Sequence, residues 1–256
     1  MSKPSALITG ASSGIGKTFA IALAKQGYTV TCVARREELL AGLINELGEG
    51  HRYIQADLTD PQQLSKVITD IEQSRYSLLV NNAGYAIYGE FKTTPLEQTQ
   101  QLLQLNINSL VTLTHAYLQT ASAGDAIINI SSVMSVLPFA GVASYSGAKA
   151  FVTSFSEALW YECQQKDIYV MALLPGKTTT NFEVIASGNN SPGKSGGPEY
   201  PPETVVNAAL KALEIRKTPT IISGPKFRFI AEVLSRLLPR RVRISLMGGN
   251  SPGLSS

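Results

Sequence analysis

The sequence predicts an α/β fold, a doubly wound parallel sheet of about seven strands with helices on both faces. Two observations carry this prediction. Short apolar runs alternate with stretches of helical periodicity along most of the chain, and a glycine-rich turn joins the first run to the first helix. Right-handed crossovers between parallel strands then place helices on both sides of the sheet. No internal boundary or repeat is visible, so we expect a single domain over residues 1–256.

Each strand is predicted from a short apolar run, and each helix from apolar residues spaced three or four apart. The predicted strands lie at 6–8, 28–33, 53–56, 78–80, 126–130, 168–174 and 220–222. Predicted helices follow the first five strands, over about 14–26, over 37–47, from 61, over 96–120 and over 144–164. Residues 187–202 are rich in Gly, Pro, Ser and Asn, which predicts a flexible substrate loop.

The composition indicates an intracellular globular protein. Hydrophobic residues make up 44% and charged residues 16%, which allows a sizeable core, and the net charge of +3 gives no reason to expect nucleic acid as a partner. Cys32 and Cys163 stand in apolar contexts typical of reduced thiols, so we expect a cytoplasmic protein. His51 and His115 have no partner at ligand spacing, so no metal site is expected. The N-terminus runs directly into a strand-like segment, so we expect no signal peptide, and no apolar run reaches the ~20 residues that a membrane span needs.

Residues 225–243 predict an amphipathic basic C-terminal helix that Pro239 should end. Between Gly224 and Ile244 the chain carries six basic residues and one acidic residue, a local charge of +5. One interpretation is a helix that packs on the protein itself or on a second subunit. The other is peripheral contact with an anionic membrane surface through the basic residues.

The turn after the first strand predicts a dinucleotide site. Its glycines allow a tight turn and a close approach of a pyrophosphate, and the helix that begins there directs unpaired N–H groups at the phosphates. The expected cofactor-binding residues of this turn are Gly10, Ser12, Ser13, Gly14, Ile15 and Gly16. An alternative is a nucleotide-hydrolysing P-loop ending at Gly16-Lys17-Thr18, but that pattern requires glycine where this chain has Ala11.

The ends of the next two strands predict which cofactor binds. Arg35 and Arg36 follow the second strand, where an acidic residue would bind the ribose of NAD. Because an arginine fork suits a 2′-phosphate, the pair favours NADP(H), although one of the two could merely solvate the start of a helix. Asp57 and Leu58 follow the third strand, where Asp57 could accept a hydrogen bond from the adenine amine, cap the following turn, or do both.

Tyr145 and Lys149 predict the chemistry. Four residues apart on a helix, they share one face. A tyrosine titrates near ~10, and a neighbouring positive charge lowers its pKa. The pair could therefore exchange protons with an alcohol or a carbonyl near neutral pH.

With further motifs, these residues resemble the short-chain dehydrogenase/reductase family, in its compact single-domain branch that prefers NADP(H) and has a Rossmann fold. The resemblance covers about residues 5–225. The motifs follow the family's order: Thr9 to Gly16, Asp57, Asn81 to Gly84, Asn106, Asn129 to Ser132, Tyr145 with Lys149, and Pro175-Gly176 with Thr180.

The resemblance implies a catalytic role for four residues. Tyr145 would be the proton donor in carbonyl reduction, and Lys149 would lower the pKa of Tyr145 and hold the nicotinamide ribose. Ser132 would hydrogen-bond the substrate oxygen, and Asn106 would position a water connected to Lys149. Ser131 is the second candidate for the role of Ser132.

Asn108 is likewise a less favoured substitute for Asn106. The resemblance also implies further cofactor contacts, made by Asn82, Ala83, Gly84, Pro175, Gly176, Thr178 and Thr180 in addition to Tyr145 and Lys149.

The segments expected beyond the carboxyl ends of the strands are mostly apolar, which favours a hydrophobic substrate. They contribute Tyr85, Tyr88, Val133, Met134, Leu137, Phe139, Phe182, Val184 and Ile185. We therefore expect an NADPH-dependent reductase of a hydrophobic ketone, acyl-like or steroid-like. A non-catalytic NADP(H)-binding sensor or scaffold is the alternative. A homo-oligomer built through the long helices is implied by the resemblance alone.

Overall fold

The structure is a computed structural model that describes residues 3–137, 139–188, 198–229 and 238–248. Its strands are β1 (Ser5–Thr9), β2 (Thr29–Ala34), β3 (Arg52–Gln55), β4 (Leu78–Asn81), β5 (Ala126–Ile130), β6 (Tyr169–Leu174) and β7 (Thr220–Ile222). They form one sheet in the order β3-β2-β1-β4-β5-β6-β7, and every neighbouring pair is parallel. The predicted fold class is confirmed.

Helices connect the strands and cover both faces of the sheet. They are α1 (Gly14–Lys25), α2 (Glu37–Leu47), α3 (Pro61–Ser74), α4 (Leu96–Leu103), α5 (Leu110–Thr120), α6 (Ala143–Cys163), α7 (Phe182–Ala186), α8 (Pro202–Ile215), α9 (Pro225–Phe229) and α10 (Arg240–Gly248). None of the helices in the described ranges is long and apolar enough to cross a membrane.

The core lies in two layers because successive strand residues point to opposite faces of the sheet. Ile8 of β1 packs with α1, α2 and α8, whereas its neighbour Leu7 packs with α3 and α5. Strands β5 and β6 are buried along their whole length, which is why both read as unbroken apolar runs. A sheet covered on both faces leaves its carboxyl edge for ligands, and the strand order reverses there between β1 and β4.

Buried amides join the centre of the sheet to the helices over one of its faces. Asn81 Nδ2 donates to Asn129 Oδ1 at 2.9 Å and to Thr114 Oγ1 at 2.9 Å. Asn129 Nδ2 donates in turn to Ser156 Oγ at 2.9 Å. Adjacent strands β4 and β5 are therefore linked to α5 and α6 by polar contacts that a shift of either helix would break.

The long helix predicted over 96–120 is interrupted. Between α4 and α5, residues Gln104–Ser109 form a π-helical segment that contains Asn106. Such a turn holds more residues than an α-helical one and is common at functional sites. Hydrophobic periodicity did not indicate it, because apolar residues continue on either side at spacings that fit a regular helix.

The second half of the chain departs further from the prediction. The sequence was not assigned a helix at Phe182–Ala186 or at Pro202–Ile215, and both are present. Most of the predicted loop over 187–202 lies outside the described residues, as does the middle of the helix predicted over 225–243. The described parts of that region are α9 and α10, and α10 begins directly after Pro239 and continues past residue 243 to Gly248. Proline lacks an N–H that a helix start would leave unpaired, so it can precede a helix as well as end one.

Candidate active site

Tyr145 and Lys149 lie in the first two turns of α6, and both side chains are buried. The Lys149 Nζ is 5.6 Å from the centroid of the Tyr145 ring. The same Nζ donates a hydrogen bond to the carbonyl oxygen of Ile130 at the end of β5, at 2.8 Å. The structure therefore brings the predicted acid–base pair together and anchors its ammonium on the sheet.

The protonation balance of this pair differs from the expectation. Burial raises the pKa of Tyr145 well above its ordinary value, and a hydrogen bond with Ser132 only partly opposes this. Burial also lowers the pKa of Lys149 from 10.5 to about 8. The predicted lowering of the Tyr145 pKa by Lys149 is not among these effects, and desolvation, which disfavours the phenolate, is the largest of them.

Ser131 and Ser132 face in different directions. Ser131 Oγ donates to the backbone carbonyl of Lys149 at 2.8 Å and shares a hydrogen bond with Thr153 Oγ1 at 2.7 Å. Ser132 Oγ accepts from the N–H of Met134 at 3.2 Å and is hydrogen-bonded with the Tyr145 phenol. Ser132 therefore presents its hydroxyl beside Tyr145, whereas the Ser131 hydroxyl is bound to the Lys149 backbone and to Thr153.

Asn106 is buried within the π-helical segment, and its Nδ2 donates to the carbonyl oxygens of Tyr85 and Leu102, both at 3.0 Å. Its Oδ1 has no hydrogen-bond partner among the described residues. A Cβ added to Gly84 would lie 2.5 Å from this oxygen and 3.4 Å from Lys149 Nζ, so the space beside Gly84 adjoins both side chains. The competing candidate Asn108 is exposed and donates to Gln104 Oε1 at 2.7 Å.

The glycine turn between β1 and α1 closes against the end of β4. Gly10 has a φ of +66°, which favours glycine. Asn82 Nδ2 donates to the carbonyl oxygens of Thr9 at 2.9 Å and Gly10 at 3.2 Å, so this predicted cofactor residue binds the turn itself. Gly16 packs behind the turn, where an added Cβ would overlap the Gly10 carbonyl oxygen.

At the end of β2, Arg36 reaches back to the glycine turn. Its Nη2 donates to Ser12 Oγ at 2.9 Å and to Ser13 Oγ at 3.0 Å. Arg35 is mostly exposed, and its Nη1 lies 3.7 Å from Asp57 Oδ2. A guanidinium and two hydroxyls thus converge where the sequence predicts a 2′-phosphate.

Asp57 also caps the turn after β3. Its Oδ1 accepts from the N–H and the hydroxyl of Thr59, at 2.9 and 2.7 Å. Burial raises the pKa of the carboxyl, but these bonds and the charge of Arg35 outweigh burial, so the pKa lies below its ordinary value. The hydrogen bonds with Thr59 are the contacts that the capping interpretation predicts. The other carboxylate oxygen, Oδ2, lies on the side of Arg35.

After the end of β6, Gly176 packs against α9, a helix that the sequence did not connect with the site. The Phe227 ring lies so close to Gly176 that an added Cβ would overlap it, and Tyr200 packs edge-on to Phe227 with ring centroids 6.2 Å apart. Thr178 Oγ1 donates to the Gly176 carbonyl at 3.0 Å. No local pattern marked Phe227, because its partner is distant in the sequence.

These segments surround one cavity of about 1070 Å³ at the carboxyl edge of the sheet. The predicted site residues that line it are Gly10, Ser12, Ser13, Gly14, Ile15, Arg35, Arg36, Asp57, Leu58, Asn82, Ala83, Gly84, Ser132, Tyr145, Lys149, Pro175, Gly176, Thr178 and Thr180. Gly16 and Asn106 stand behind this wall.

The end of the cavity beside Tyr145 is mainly apolar. Of the predicted substrate-contacting residues, the ones that line the cavity are Tyr85, Tyr88, Val133, Met134, Phe139, Phe182 and Ile185. Leu137 is buried elsewhere and Val184 points to solvent, so neither contributes. Phe182 of α7 packs on the Tyr145 ring with centroids 5.7 Å apart.

Two charged residues at the cavity wall were not predicted. Lys177 Nζ lies 3.4 Å from Glu183 Oε2 and 3.8 Å from Glu199 Oε2. Lys177 and Glu183 both line the cavity. No sequence pattern indicated this cluster, because Lys177 precedes α7, Glu183 lies on α7 and Glu199 lies shortly before α8. No group of three His, Cys, Asp or Glu within the described ranges could hold a metal ion.

A family model and a curated relative both match this chain over most of its length. A family model described as short chain dehydrogenase matches residues 4–188. Serine 3-dehydrogenase of Rhizobium radiobacter is 35% identical over 188 residues, which cover 72% of this chain and 76% of the relative.

Solved structures extend the similarity over most of the chain. A short-chain dehydrogenase from Sphingobium yanoikuyae in complex with NADPH is 35% identical, with a TM-score of 0.78 over 86% of this chain and 87% of that one. The bulky-bulky ketone specific alcohol dehydrogenase from Comamonas testosteroni is 29% identical, with a TM-score of 0.75 over 93% of this chain and 95% of that one.

The lowered pKa of Lys149 predicts a pH-dependent stability. Between about pH 8 and 10.5 the unfolded lysine keeps a proton that the folded one has released. Stability therefore rises with pH in this window, by up to ~1.4 kcal/mol per pH unit. We expect the difference in unfolding free energy between wild type and Lys149→Met to change by about 1–2 kcal/mol in favour of wild type from pH 7.5 to 9.5.

Urea denaturation at a series of pH values measures this difference. The matched control is Lys211→Met, because Lys211 is exposed on α8 and should give a flat difference. A flat difference for Lys149→Met as well would contradict the lowered pKa.

Proposed function

The chain belongs to the short-chain dehydrogenase family, and we propose that it is an NADPH-dependent reductase that converts a hydrophobic ketone into an alcohol. Membership and the NADPH-bound neighbour make it an NAD(P)-dependent oxidoreductase acting on CH–OH and C=O groups. We propose three further properties: NADPH as the cofactor, reduction as the direction, and a hydrophobic ketone as the substrate. The observation that carries it is the buried set of Ser132, Tyr145 and Lys149 beside an apolar cavity end.

Residues at both ends of the cavity fit NADP(H). The glycine turn offers a close backbone approach and the N-terminus of α1 for a pyrophosphate. Arg36, with Ser12 and Ser13, offers donors for a 2′-phosphate, and Asp57 Oδ2 offers an acceptor for the adenine amine. At the other end, Lys149, Gly176 and Thr178 would hold the nicotinamide riboside. When bound, NADPH supplies the hydride.

The protein side of the reaction is proton donation at the carbonyl oxygen of the substrate. Ser132 and Tyr145 would both hydrogen-bond that oxygen, because their hydroxyls already meet at the cavity wall. Tyr145 would then transfer its proton to the oxygen as negative charge develops there. The proposed direction, reduction, uses Tyr145 as a protonated phenol, which is its form at neutral pH because burial raises its pKa.

Lys149 and Asn106 would restore the proton. Near pH 8 Lys149 changes its charge readily, because burial has brought its pKa to about that value. The Asn106 Oδ1 lies beside Gly84, near Lys149 Nζ, and has no protein partner among the described residues. A water held by this oxygen would connect the ammonium with solvent, which keeps the phenol supplied with protons.

The apolar cavity end supports a hydrophobic ketone over a small polar substrate. Tyr88, Met134, Phe139, Phe182 and Ile185 surround the space beside Tyr145. The similarity to a dehydrogenase for bulky-bulky ketones points the same way. Serine 3-dehydrogenase provides a second candidate, a small hydroxy amino acid as substrate. We rank it second because the lining beside Tyr145 is mainly apolar, which suits a hydrophobic substrate better.

Of the two alternative hypotheses from the sequence, one loses its basis and the other is open to a direct test. A P-loop hydrolase is incompatible with the family to which the chain belongs. A non-catalytic sensor would differ from the proposed enzyme in turnover alone, so activity measurements distinguish the two.

Replacement of Tyr145 tests the proposed proton donor. In a screen of hydrophobic ketones, β-ketoacyl thioesters and steroids, we expect wild type to oxidise NADPH, measured by its absorbance. Tyr145→Phe should lower kcat by about 10²–10⁴-fold, because the proton donor is lost. The control Tyr161→Phe changes an exposed tyrosine on the same helix and should retain activity. Full activity in Tyr145→Phe would contradict the mechanism, and oxidation of serine in preference to any ketone would favour the second candidate.

Replacement of Arg36 tests the proposed choice of NADPH over NADH. Arg36→Ala should lower kcat/KM for NADPH by about tenfold to a hundredfold through the loss of charged hydrogen bonds, and change that for NADH little. Lys17→Ala is the control, because Lys17 lies on α1 in an exposed ion pair with Glu46. An equal loss with both cofactors would mean that Arg36 does not recognise the 2′-phosphate.

The proposal includes a homo-oligomer that buries the exposed face of α6. Phe151 and Phe155 stack there with centroids 5.6 Å apart, and Phe151 is 40% exposed. The molar mass of the wild type, measured by light scattering, should be that of a dimer or tetramer. The molar mass of Phe151→Asp should be that of a monomer. A monomeric wild type would remove the idea.

We further propose a cytoplasmic protein whose α10 contacts anionic membranes. Arg240 and Arg241 stand at its start, and Val242, Ile244 and Leu246 are partly exposed along it. Co-sedimentation with anionic liposomes should fall when both arginines are replaced by glutamate. Equal pelleting of the two proteins would exclude this contact.

A further inference from the structure

Lys177 is held between two carboxylates at the substrate end of the cavity. Its Nζ lies 3.4 Å from Glu183 and 3.8 Å from Glu199. The side chains of Lys177 and Glu183 are only 22% and 20% exposed, so water screens this pair less than an ion pair at the surface.

The backbone fixes the cluster in place. Lys177 follows Gly176 directly, and its carbonyl oxygen accepts from the N–H of Tyr200 at 3.0 Å. The N–H of Thr179 donates to the Tyr200 carbonyl at 2.9 Å, so the segments that carry Lys177 and Glu199 are paired. Glu183 lies in the first turn of α7, next to Phe182, which packs on Tyr145.

This cluster controls the charge at the substrate end. The other cations that line the cavity among the described residues are Arg35 and Arg36, at the adenosine end, and Lys149, which bonds the Ile130 carbonyl. Lys177 is already satisfied by two carboxylates. The charge of Glu183 extends into the apolar part, where burial and, to a smaller extent, Glu183 raise the pKa of Tyr88 to about 12.

We infer that Lys177, Glu183 and Glu199 select neutral carbonyl substrates against anionic ones of the same shape. The inference rests on the proposed function and narrows its substrate class. A substrate carboxylate, sulfonate or phosphate would have to displace a glutamate from Lys177 or lie beside Glu183. In both arrangements the negative charge of the substrate lies close to a glutamate in a partly buried site. Repulsion between like charges then lowers the affinity for the anionic substrate.

The test compares 4-acetylbenzoate with its methyl ester, two ketones that differ in one charge. With the full chain and NADPH, we expect kcat/KM to favour the ester by about tenfold or more. Glu183→Gln and Glu199→Gln should each raise the acid-to-ester ratio by about fivefold, because Lys177 becomes available to the substrate carboxylate. Lys177→Met should lower the ratio, because two carboxylates remain without that lysine. The control Glu214→Gln removes one exposed charge at the far end of α8 and should leave the ratio unchanged.

A purely structural role would change both substrates equally, so an unchanged ratio in the Glu183 and Glu199 variants would overturn the inference. So would an acid reduced as efficiently as the ester by wild type. If neither ketone is reduced, the proposed reaction fails for this class. The affinities of acid and ester for the protein with NADP⁺, measured by calorimetry across the same variants, then decide the inference by the same ratio.

Discussion

The site depends on the contact between α6 and the end of β5. Three consecutive residues of the chain bind the helix: Asn129 donates to Ser156, the Ile130 carbonyl accepts from the Lys149 ammonium, and Ser131 donates to the Lys149 carbonyl. These contacts fix the rotation of the helix as well as its position along the strand. A buried polar contact of this kind tolerates little displacement, since each separated partner would be left without a hydrogen bond.

The same packing sets the protonation of the reactive groups. With α6 pressed onto the sheet, Tyr145 and Lys149 are both desolvated, and desolvation moves their pKa values in opposite directions, toward a neutral phenol and a readily discharged amine. Ser132, one residue past the anchoring Ser131, meets the phenol at the cavity wall. The structural contact and the chemical one are therefore made by neighbouring residues of a single strand end.

The sequence predicted what is encoded locally. Parallel strands covered on both faces become continuous apolar runs, and the glycine turn and the Tyr145–Lys149 pair are each contained in one short segment, so the fold and the centre of the site could be read directly. Contacts between distant segments could not be predicted from the sequence. Examples are the packing of Phe227 against Gly176 and the position of Lys177 between Glu183 and Glu199. The protonation balance was also missed, because it depends on burial, and burial is a property of the assembled fold.

The π-helical segment around Asn106 limits how many residues the chain can have between α4 and α5. Helix α4 packs mainly on α6 and α5 mainly on α3, so the two halves of the long helix meet different neighbours and need different rotational settings. The wide turn supplies that change of phase. Removing one residue from it would restore a regular pitch but rotate one half by about 100° relative to the other. Residue number in this stretch is therefore constrained as tightly as residue identity, although no single side chain reveals it.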